Sequence, residues 1–156
     1  MTGLQTLGAT ELRLIITVFR DAMKVHAPSI NRLNVYPVPD GDTGTNMFRT
    51  LEAVVAELNG AEDNLVATCA AISHGSLMGA RGNSGVILSQ ILRGLASTIG
   101  GEASHAGVTA AVVSDAFTRA AAAAYEAVLK PIEGTILTVV RETAEGGAQA
   151  AHNGAT

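Results

Sequence analysis

The stretch from residue 34 to residue 60, NVYPVPDGDTGTNMFRTLEAVVAELNG, joins a loop rich in proline and glycine to an amphipathic helix. Between Asn46 and Leu58 the apolar residues fall on one side of a helix. They are Met47, Leu51, Val54, Val55 and Leu58. Gly60 stands where a C-terminal cap is expected. Since helical spacing recurs along the chain and strand-like alternation is not sustained anywhere, the sequence predicts an all-α fold.

Five further helices are predicted by the same spacing. The first begins with Thr10 as N-cap and ends before Pro28, which disfavours helix at the residue preceding it. The other four are Glu62–Ser73, a helix that carries Ile87, Ile91 and Leu95 and is closed by Gly100 and Gly101, Val108–Leu129, and a last helix that begins at Gly134 or Thr135. Six helices with mostly short links predict an up-and-down antiparallel bundle, forming one domain over residues 1–156.

The composition limits the classes of function. Of the 156 residues, 47% are hydrophobic and only 3% aromatic, so the core must be aliphatic and rich in alanine. The net charge of −4 comes without a basic face, so no nucleic-acid partner is expected. Cys69 is the only cysteine, which excludes an intramolecular disulfide and a cysteine-based metal site. With no secretory signal at the start and no long apolar run, we expect a cytoplasmic protein without integral membrane contact.

The segment 38–47, VPDGDTGTNM, holds two carboxylates, Asp40 and Asp42, on either side of Gly41. A turn at Gly41 would let the two carboxylates converge on one ion. Mg²⁺ usually takes one or two carboxylates and completes its coordination with water and substrate phosphates, and the side chain of Asn34 could add a further oxygen. The segment therefore suggests a magnesium site.

The alternative is that Asp42, Thr43 or Thr45 only caps the following helix, since Asp and Thr are common N-caps. A cap accounts for one of these residues but not for two neighbouring carboxylates, which repel each other unless a cation or donors intervene. Calcium of the EF-hand kind is disfavoured because Leu51 would stand where a bidentate Glu is required. Spacing alone leaves both metal binding and capping open.

A second glycine-rich segment, GARGNSG at 79–85, leads into the fourth helix. Its glycines would expose backbone N–H groups around Asn83 and Ser84 at a helix N-terminus, which favours an anion such as phosphate. It matches neither the Walker A pattern, which needs a lysine, nor a Rossmann turn, which follows a strand. The alternative is a plain link in which Asn83 or Ser84 is the N-cap. In the last segment Thr135 is a good N-cap, and Gly134 would let a ligand approach the backbone.

Three segments, in order, resemble a known family. NVYPVPDGDTGTNM at 34–47, GARGNSGVILSQ at 79–90 and KPIEGTILTVVRE at 130–142 are similar to the amino-terminal nucleotide-binding domain of bacterial fatty acid kinases. That domain is itself similar to the ATP-binding L subunit of dihydroxyacetone kinase. The resemblance covers nearly the whole chain, to about residue 145. It implies an antiparallel helical barrel, usually of eight helices, that holds Mg·ADP or Mg·ATP at one end.

The resemblance also implies roles for individual residues. Asp40 and Asp42 would ligate Mg²⁺, and Asn34 stands near the place of a third, acidic ligand in the dihydroxyacetone kinase subunit. The residues that it places at the nucleotide phosphates are Thr43, Gly44, Thr45, Asn46, Gly82, Asn83 and Ser84. Gly134 and Thr135 would lie near the nucleoside, and no catalytic residue is assigned.

The sequence departs from the family in one respect. It carries about six helices where the family has eight, and it has no counterpart of the downstream domains that dock an acyl-carrying partner protein. We therefore expect a C-terminally incomplete domain that would need self-association, as in a homodimer, or another polypeptide to cover its apolar surface.

The function implied by the resemblance is that of a Mg·ATP-binding domain in a kinase that phosphorylates the carboxylate of a partner-bound fatty acid, a step of phospholipid metabolism. One alternative is phosphoryl transfer of the dihydroxyacetone kinase type, against which Thr43 counts because that subunit has His there. A second alternative is a non-catalytic nucleotide-binding or interaction module that kept the helical scaffold.

Overall fold

The computed structural model describes residues 6–102 and 108–154. Within these ranges six helices follow one another: α1 Ala9–Leu33, α2 Thr43–Gly60, α3 Leu65–Gly79, α4 Gly82–Gly101, α5 Ala110–Glu126 and α6 Ile136–His152. The described part of the chain has no β-sheet, only a single antiparallel bridge in which Leu7 N donates to Val108 O at 2.9 Å. The predicted all-α fold is therefore confirmed.

Each helix packs against the next along the chain, and α2 also packs against α4. Because short links join consecutive packed helices, the order is up-and-down, and the α1–α2, α3–α4 and α5–α6 connections lie at the same end of the bundle. Within the described ranges α1 and α6 do not contact each other, so the helices form an open row. The outer face of α1 exposes the apolar side chains of Leu14, Ile15, Val18 and Val25.

The core is aliphatic and rich in alanine, as the composition predicted. One cluster of buried side chains, which includes Leu51 and Val54, is contributed mainly by helices α1, α2, α3 and α4. The other lies between α4, α5 and α6. Small residues bring α4 and α5 close together, since a Cβ added at Gly94 would lie 2.7 Å from Ala120 Cα. Cys69 is buried in the first cluster, and desolvation raises the pKa of its thiol to about 11.

The first helix is longer than predicted. It begins at Ala9, with Gly8 rather than Thr10 at the N-cap, and it continues through Pro28 to Leu33. Proline removes one helical hydrogen bond, but the turn beyond it is held by tertiary contacts: Ile30 packs against the core, and Asn31 is hydrogen-bonded to α2. The prediction that the helix ends before Pro28 was wrong because packing outweighs the local preference.

The third helix also extends further toward the C-terminus than predicted. It begins at Leu65 and continues past Ser73 to Gly79, through the segment interpreted as a break. Gly75 and Gly79 lie where α3 contacts α2, and a Cβ added at Gly79 would lie 2.2 Å from Ala53 Cβ. These glycines allow a close helix contact and do not end the helix.

The other boundaries differ by smaller amounts. The second helix begins at Thr43, three residues before the predicted start at Asn46, and the fifth spans Ala110–Glu126. The last helix has Thr135 as its N-cap, as predicted. Across the described ranges, none of the helices combines the length and the apolar character that crossing a bilayer requires.

Candidate functional site

The connection between α1 and α2 is held in shape by the side chain of Asn34. Its Nδ2 donates to Val38 O at 3.0 Å, and its Oδ1 accepts from the backbone N–H groups of Asp42 at 3.1 Å and Thr43 at 3.2 Å. Gly41 has a φ of +64°, a left-handed backbone angle that glycine permits. The loop is thereby pulled against the first turn of α2, with Asp40 exposed and Asp42 half-buried.

The start of α2 is capped by two asparagines, Asn31 in the last turn of α1 and Asn34 immediately after it. Asp42 occupies the N-cap position, but its side chain makes no capping hydrogen bond. Asn34 Oδ1 accepts from Thr43 N, and Asn31 Oδ1 accepts from Thr45 N at 3.1 Å. The interpretation of Asp42, Thr43 or Thr45 as the side-chain cap of α2 is therefore wrong.

The carboxylates of Asp40 and Asp42 are consequently not used by the fold. Within the described ranges neither carboxylate accepts a hydrogen bond or forms an ion pair. The same ranges contain no cluster of three or more His, Cys, Asp or Glu side chains suited to a metal ion. A divalent cation at this loop would thus have two carboxylates and would take its other oxygens from water or from a ligand, which is the usual situation of Mg²⁺. Asn34 Oδ1 already accepts two hydrogen bonds, so its role as a metal ligand stays a prediction.

The second glycine-rich segment runs from the end of α3 at Gly79 into the first turn of α4, which begins at Gly82. Gly82 has a φ of +60°, and a Cβ there would lie 2.3 Å from Asn46 Nδ2. Asn83 and Ser84 lie in the first helical turn, whose backbone N–H groups have no partner inside the helix. Ser84 Oγ donates to Thr43 Oγ1 at 3.2 Å. This bond joins the N-termini of α2 and α4 side by side.

The connection between α5 and α6 lies at the same end of the bundle as the two segments described above, and it contains the third segment. Thr135 Oγ1 donates to Ile132 O at 2.7 Å and accepts from Leu137 N. Gly134 has a φ of +78°, and its N–H donates to Thr138 Oγ1 at 2.7 Å. A Cβ at Gly134 would meet no atom within 4 Å, so it is the backbone angle that favours glycine here.

A hydrogen-bonded network around Glu133 supports this connection. The carboxylate of Glu133 accepts from Thr138 Oγ1 at 2.6 Å, from the Tyr125 hydroxyl at 2.8 Å and from Arg141 at 3.3 Å. The hydrogen bonds from Thr138 and then Tyr125 lower the pKa of Glu133. The hydrogen bond to Glu133 in turn raises the pKa of Tyr125. The network is exposed to solvent, whereas the hydrogen bonds that Asn31 Oδ1 and Asn34 Oδ1 accept from the start of α2 are part-buried.

The three segments line one cavity of about 640 Å³ at one end of the bundle. This volume lies in the range of small-molecule sites. The predicted site residues that line it are Asn34, Asp40, Thr43, Asn83, Ser84, Gly134 and Thr135. The rest of the wall is largely apolar and includes Ile87, Val128, Ile132, Ile136 and Leu137. The cavity therefore has a polar part at two helix N-termini and an apolar part beside the α5–α6 connection.

The remaining predicted residues do not line the cavity but lie next to residues that do. Gly44 is buried against α1, and a Cβ there would lie 2.5 Å from Ala27 O. Thr45 Oγ1 accepts from Asn31 Nδ2 at 2.8 Å, while Asn46 contacts Gly82. Asp42 is adjacent to the lining residue Thr43. In this structure Gly44 and Thr45 hold α2 against α1, and their predicted contacts with phosphate stay predictions.

Two residues near the cavity, Asn31 and Lys130, were not predicted from the sequence. Asn31 was not singled out because its role depends on α1 continuing beyond Pro28. Lys130 lines the cavity but was interpreted only as the start of the third segment. Its position immediately before Pro131, in the segment that leads to Gly134, was the available signal.

Comparison with known proteins shows the family to which the fold belongs. The family model described as the DAK2 domain matches residues 37–156. Two similar relatives are uncharacterized proteins of Staphylococcus aureus, from strains bovine RF122 / ET3-1 and USA300. Each is 44% identical over 129 residues, which cover 82% of this chain and 23% of the relative. The chain thus spans about a quarter of the length of the curated relatives it matches.

Proposed function

This chain belongs to the DAK2 domain family, and we propose that it binds Mg·ATP or Mg·ADP as the nucleotide-binding domain of a phosphotransferase. The observation that carries the proposal is the single cavity lined by residues of all three segments. It combines an exposed carboxylate, two helix N-termini joined by the Ser84–Thr43 hydrogen bond, and an apolar wall. These are the features that a metal ion, a phosphate chain and a nucleoside require.

Each part of the cavity has a chemical task in this proposal. Asp40 and Asp42 provide hard oxygen ligands for Mg²⁺, which neutralises phosphate charge when bound. The N-termini of α2 and α4 offer N–H groups and the positive ends of two helix dipoles to the phosphates. The hydrogen bond between Ser84 and Thr43 holds the two N-termini next to each other. Catalysis in such a site rests on positioning and on charge neutralisation.

For the complete enzyme we propose a carboxylate acceptor. The carboxylate oxygen of a fatty acid held by a partner protein attacks the γ-phosphorus of ATP, the bond from that phosphorus to the β–γ bridging oxygen breaks, and ADP leaves with the formation of an acyl phosphate. The support is the resemblance of the three segments to the fatty acid kinase domain, including Thr43 in place of the His found in the dihydroxyacetone kinase subunit. Docking of the acyl-carrying partner, homodimer formation and a cytoplasmic location belong to this proposal.

Thermal unfolding tests nucleotide binding. The midpoint is measured without ligand, with Mg²⁺, with ATP and with both, for the wild type and for Asp40→Asn/Asp42→Asn. Ligand at about 100 times its Kd adds about 2.7 kcal/mol to the free energy of unfolding, which raises the midpoint by about 5–10 °C. We expect this rise only with both ligands and only in the wild type.

The matched control is Asp115→Asn, which removes an exposed carboxylate of α5 whose partner is Arg119 on the same helix. It should retain the full rise. A cooperatively unfolding wild type whose midpoint does not respond to Mg·ATP would contradict the proposal. Binding of Mg·ATP without acyl phosphate formation in the presence of the downstream domains would favour the non-catalytic module.

A further inference from the structure

The cavity is lined by two charged side chains of opposite sign within the described ranges. Asp40 lies on the α1–α2 connection, and Lys130 lies on the α5–α6 connection. A nucleotide that carries one Mg²⁺ still has a net negative charge on its phosphates. Asp40 suits the cation, whereas Lys130 suits the negative charge that the cation leaves uncompensated.

The backbone around Lys130 turns this residue toward the cavity. Val128, Lys130 and Ile132 all line it, whereas Leu129 is completely exposed to solvent. The two apolar neighbours and the lysine therefore form one strip of the wall. The chain bends at Leu129 and Lys130, immediately before Pro131.

Lys130 is also the cation of this wall that the fold leaves available. Arg141, the other cation near the α5–α6 connection, is bound to Glu133 at 3.3 Å and to Glu145 at 3.0 Å. Between residues 6 and 102 and between 108 and 154, by contrast, no side chain forms a hydrogen bond or an ion pair with the Lys130 ammonium group. An ammonium on a flexible stem contacts phosphate as a point charge and does not need a rigid geometry.

We propose that Lys130 binds the phosphate chain of the nucleotide and makes the site select charged nucleotides over the uncharged nucleoside. This inference rests on the proposed function and adds a residue and a specificity to it. The lysine acts through charge, so its contribution should fall as salt increases, whereas the contribution of the apolar wall should not.

The test compares Lys130→Met with Lys24→Met, because the chain has only these two lysines and Lys24 lies on the exposed side of α1. Calorimetry measures the Kd of Mg·ATP and Mg·ADP, and NMR titration measures that of adenosine. We expect Lys130→Met to weaken Mg·ATP binding about tenfold at low salt and less at high salt. Adenosine binding should be unchanged, Lys130→Arg should restore most of the affinity, and Lys24→Met should equal the wild type.

Equal Mg·ATP affinity of Lys130→Met and the wild type would overturn the inference while leaving the proposed function intact. So would an equal loss of adenosine and ATP binding, since that indicates a structural role. A wild type that binds no nucleotide would overturn both the inference and the proposed function.

Chemical labelling with an acyl phosphate derivative of ATP gives a second measurement. The Lys130 amine should take up the acyl group as the nucleotide leaves, and excess ATP should prevent this labelling. Labelling of Lys24 and not Lys130 would also contradict the inference.

Discussion

The two walls of the cavity are stabilised in different ways. The α1–α2 wall is held by neutral amide hydrogen bonds from Asn31 and Asn34 and by close packing of Gly44 against α1. The α5–α6 wall is held by an exposed network around the ionised Glu133. The α1–α2 wall is therefore anchored to the helices by part-buried amide hydrogen bonds, although the loop that carries Asp40 is itself exposed. The α5–α6 wall depends instead on charged groups, and so on pH and salt.

The largest difference should appear when a glycine of each wall is replaced by alanine. At Gly44 the new Cβ would collide with Ala27 O, so Gly44→Ala should lower the free energy of unfolding by about 3 kcal/mol. At Gly134 there is space and only the positive φ is unfavourable, so Gly134→Ala should cost about 1 kcal/mol. Urea denaturation measures both values.

Gly146→Ala is the control for this pair, because Gly146 lies inside α6 with nothing within 4 Å of its added Cβ. Alanine should stabilise the helix there by about 0.5–1 kcal/mol. A cost at Gly134 as large as that at Gly44 would mean that the two walls do not differ in packing.

An intermediate effect is expected for Asn34. Asn34→Ala leaves the N–H groups of Asp42 and Thr43 without their acceptor and should cost about 1–2 kcal/mol. Asn34→Asp keeps an acceptor oxygen and loses only the donor to Val38 O, so it should retain most of the stability. If Asn34 only positions the loop, neither variant should make Mg²⁺ binding tighter in calorimetric titration. A clear gain for Asn34→Asp would instead identify this position as a metal ligand.

The smallest effect is expected in the exposed network. Because the pKa of Glu133 is lowered from 4.5 in the folded protein, its contribution to stability is present above that pH and is lost as pH falls through the folded pKa. The pKa of Tyr125 is raised from 10.0, so its contribution is present below pH 10 and is lost as pH rises through the folded pKa.

The NMR chemical shift of the Gly134 amide, measured at constant temperature as pH is varied, should follow both the titration of Glu133 and the titration of Tyr125. Glu133→Gln should remove the acidic transition and leave the α1–α2 wall unaffected. An acidic transition of equal size in Glu133→Gln would show that another group controls this wall.

The fold could be predicted from the sequence because helical spacing is a local pattern. The residues of the candidate site were predicted from turn composition and from the resemblance of the three segments. The helical spacing identified six helices, and an up-and-down order brings alternate connections to one end, where Asp40, Ser84 and Thr135 line the cavity. The positive φ of Gly41 agrees with the turn that the sequence permits there, since such an angle is a local property of glycine.

The wrong predictions of helix ends and helix caps have a common cause, which is tertiary packing. Pro28 remains helical because the turn beyond it contacts α2, and Gly79 continues α3 because α2 packs closely there. The caps of α2 come from Asn31 and Asn34, whose partners lie 8–14 residues away in the chain. No local pattern contains these contacts, so spacing favoured the residues nearest the helix start.

The central claim is that one cation and one nucleotide bind where the three segments meet. Mn²⁺ can replace Mg²⁺ and broaden the NMR signals of nearby amides, so titration with Mn·ADP tests the claim most directly. We predict broadening of the amides of Thr43, Ser84 and Thr135 together, no broadening of Gly60 and Ala110 at the opposite end of the bundle, and loss of the effect in Asp40→Asn/Asp42→Asn. Broadening that is spread over the acidic surface, or that persists unchanged in the double variant, would contradict the account.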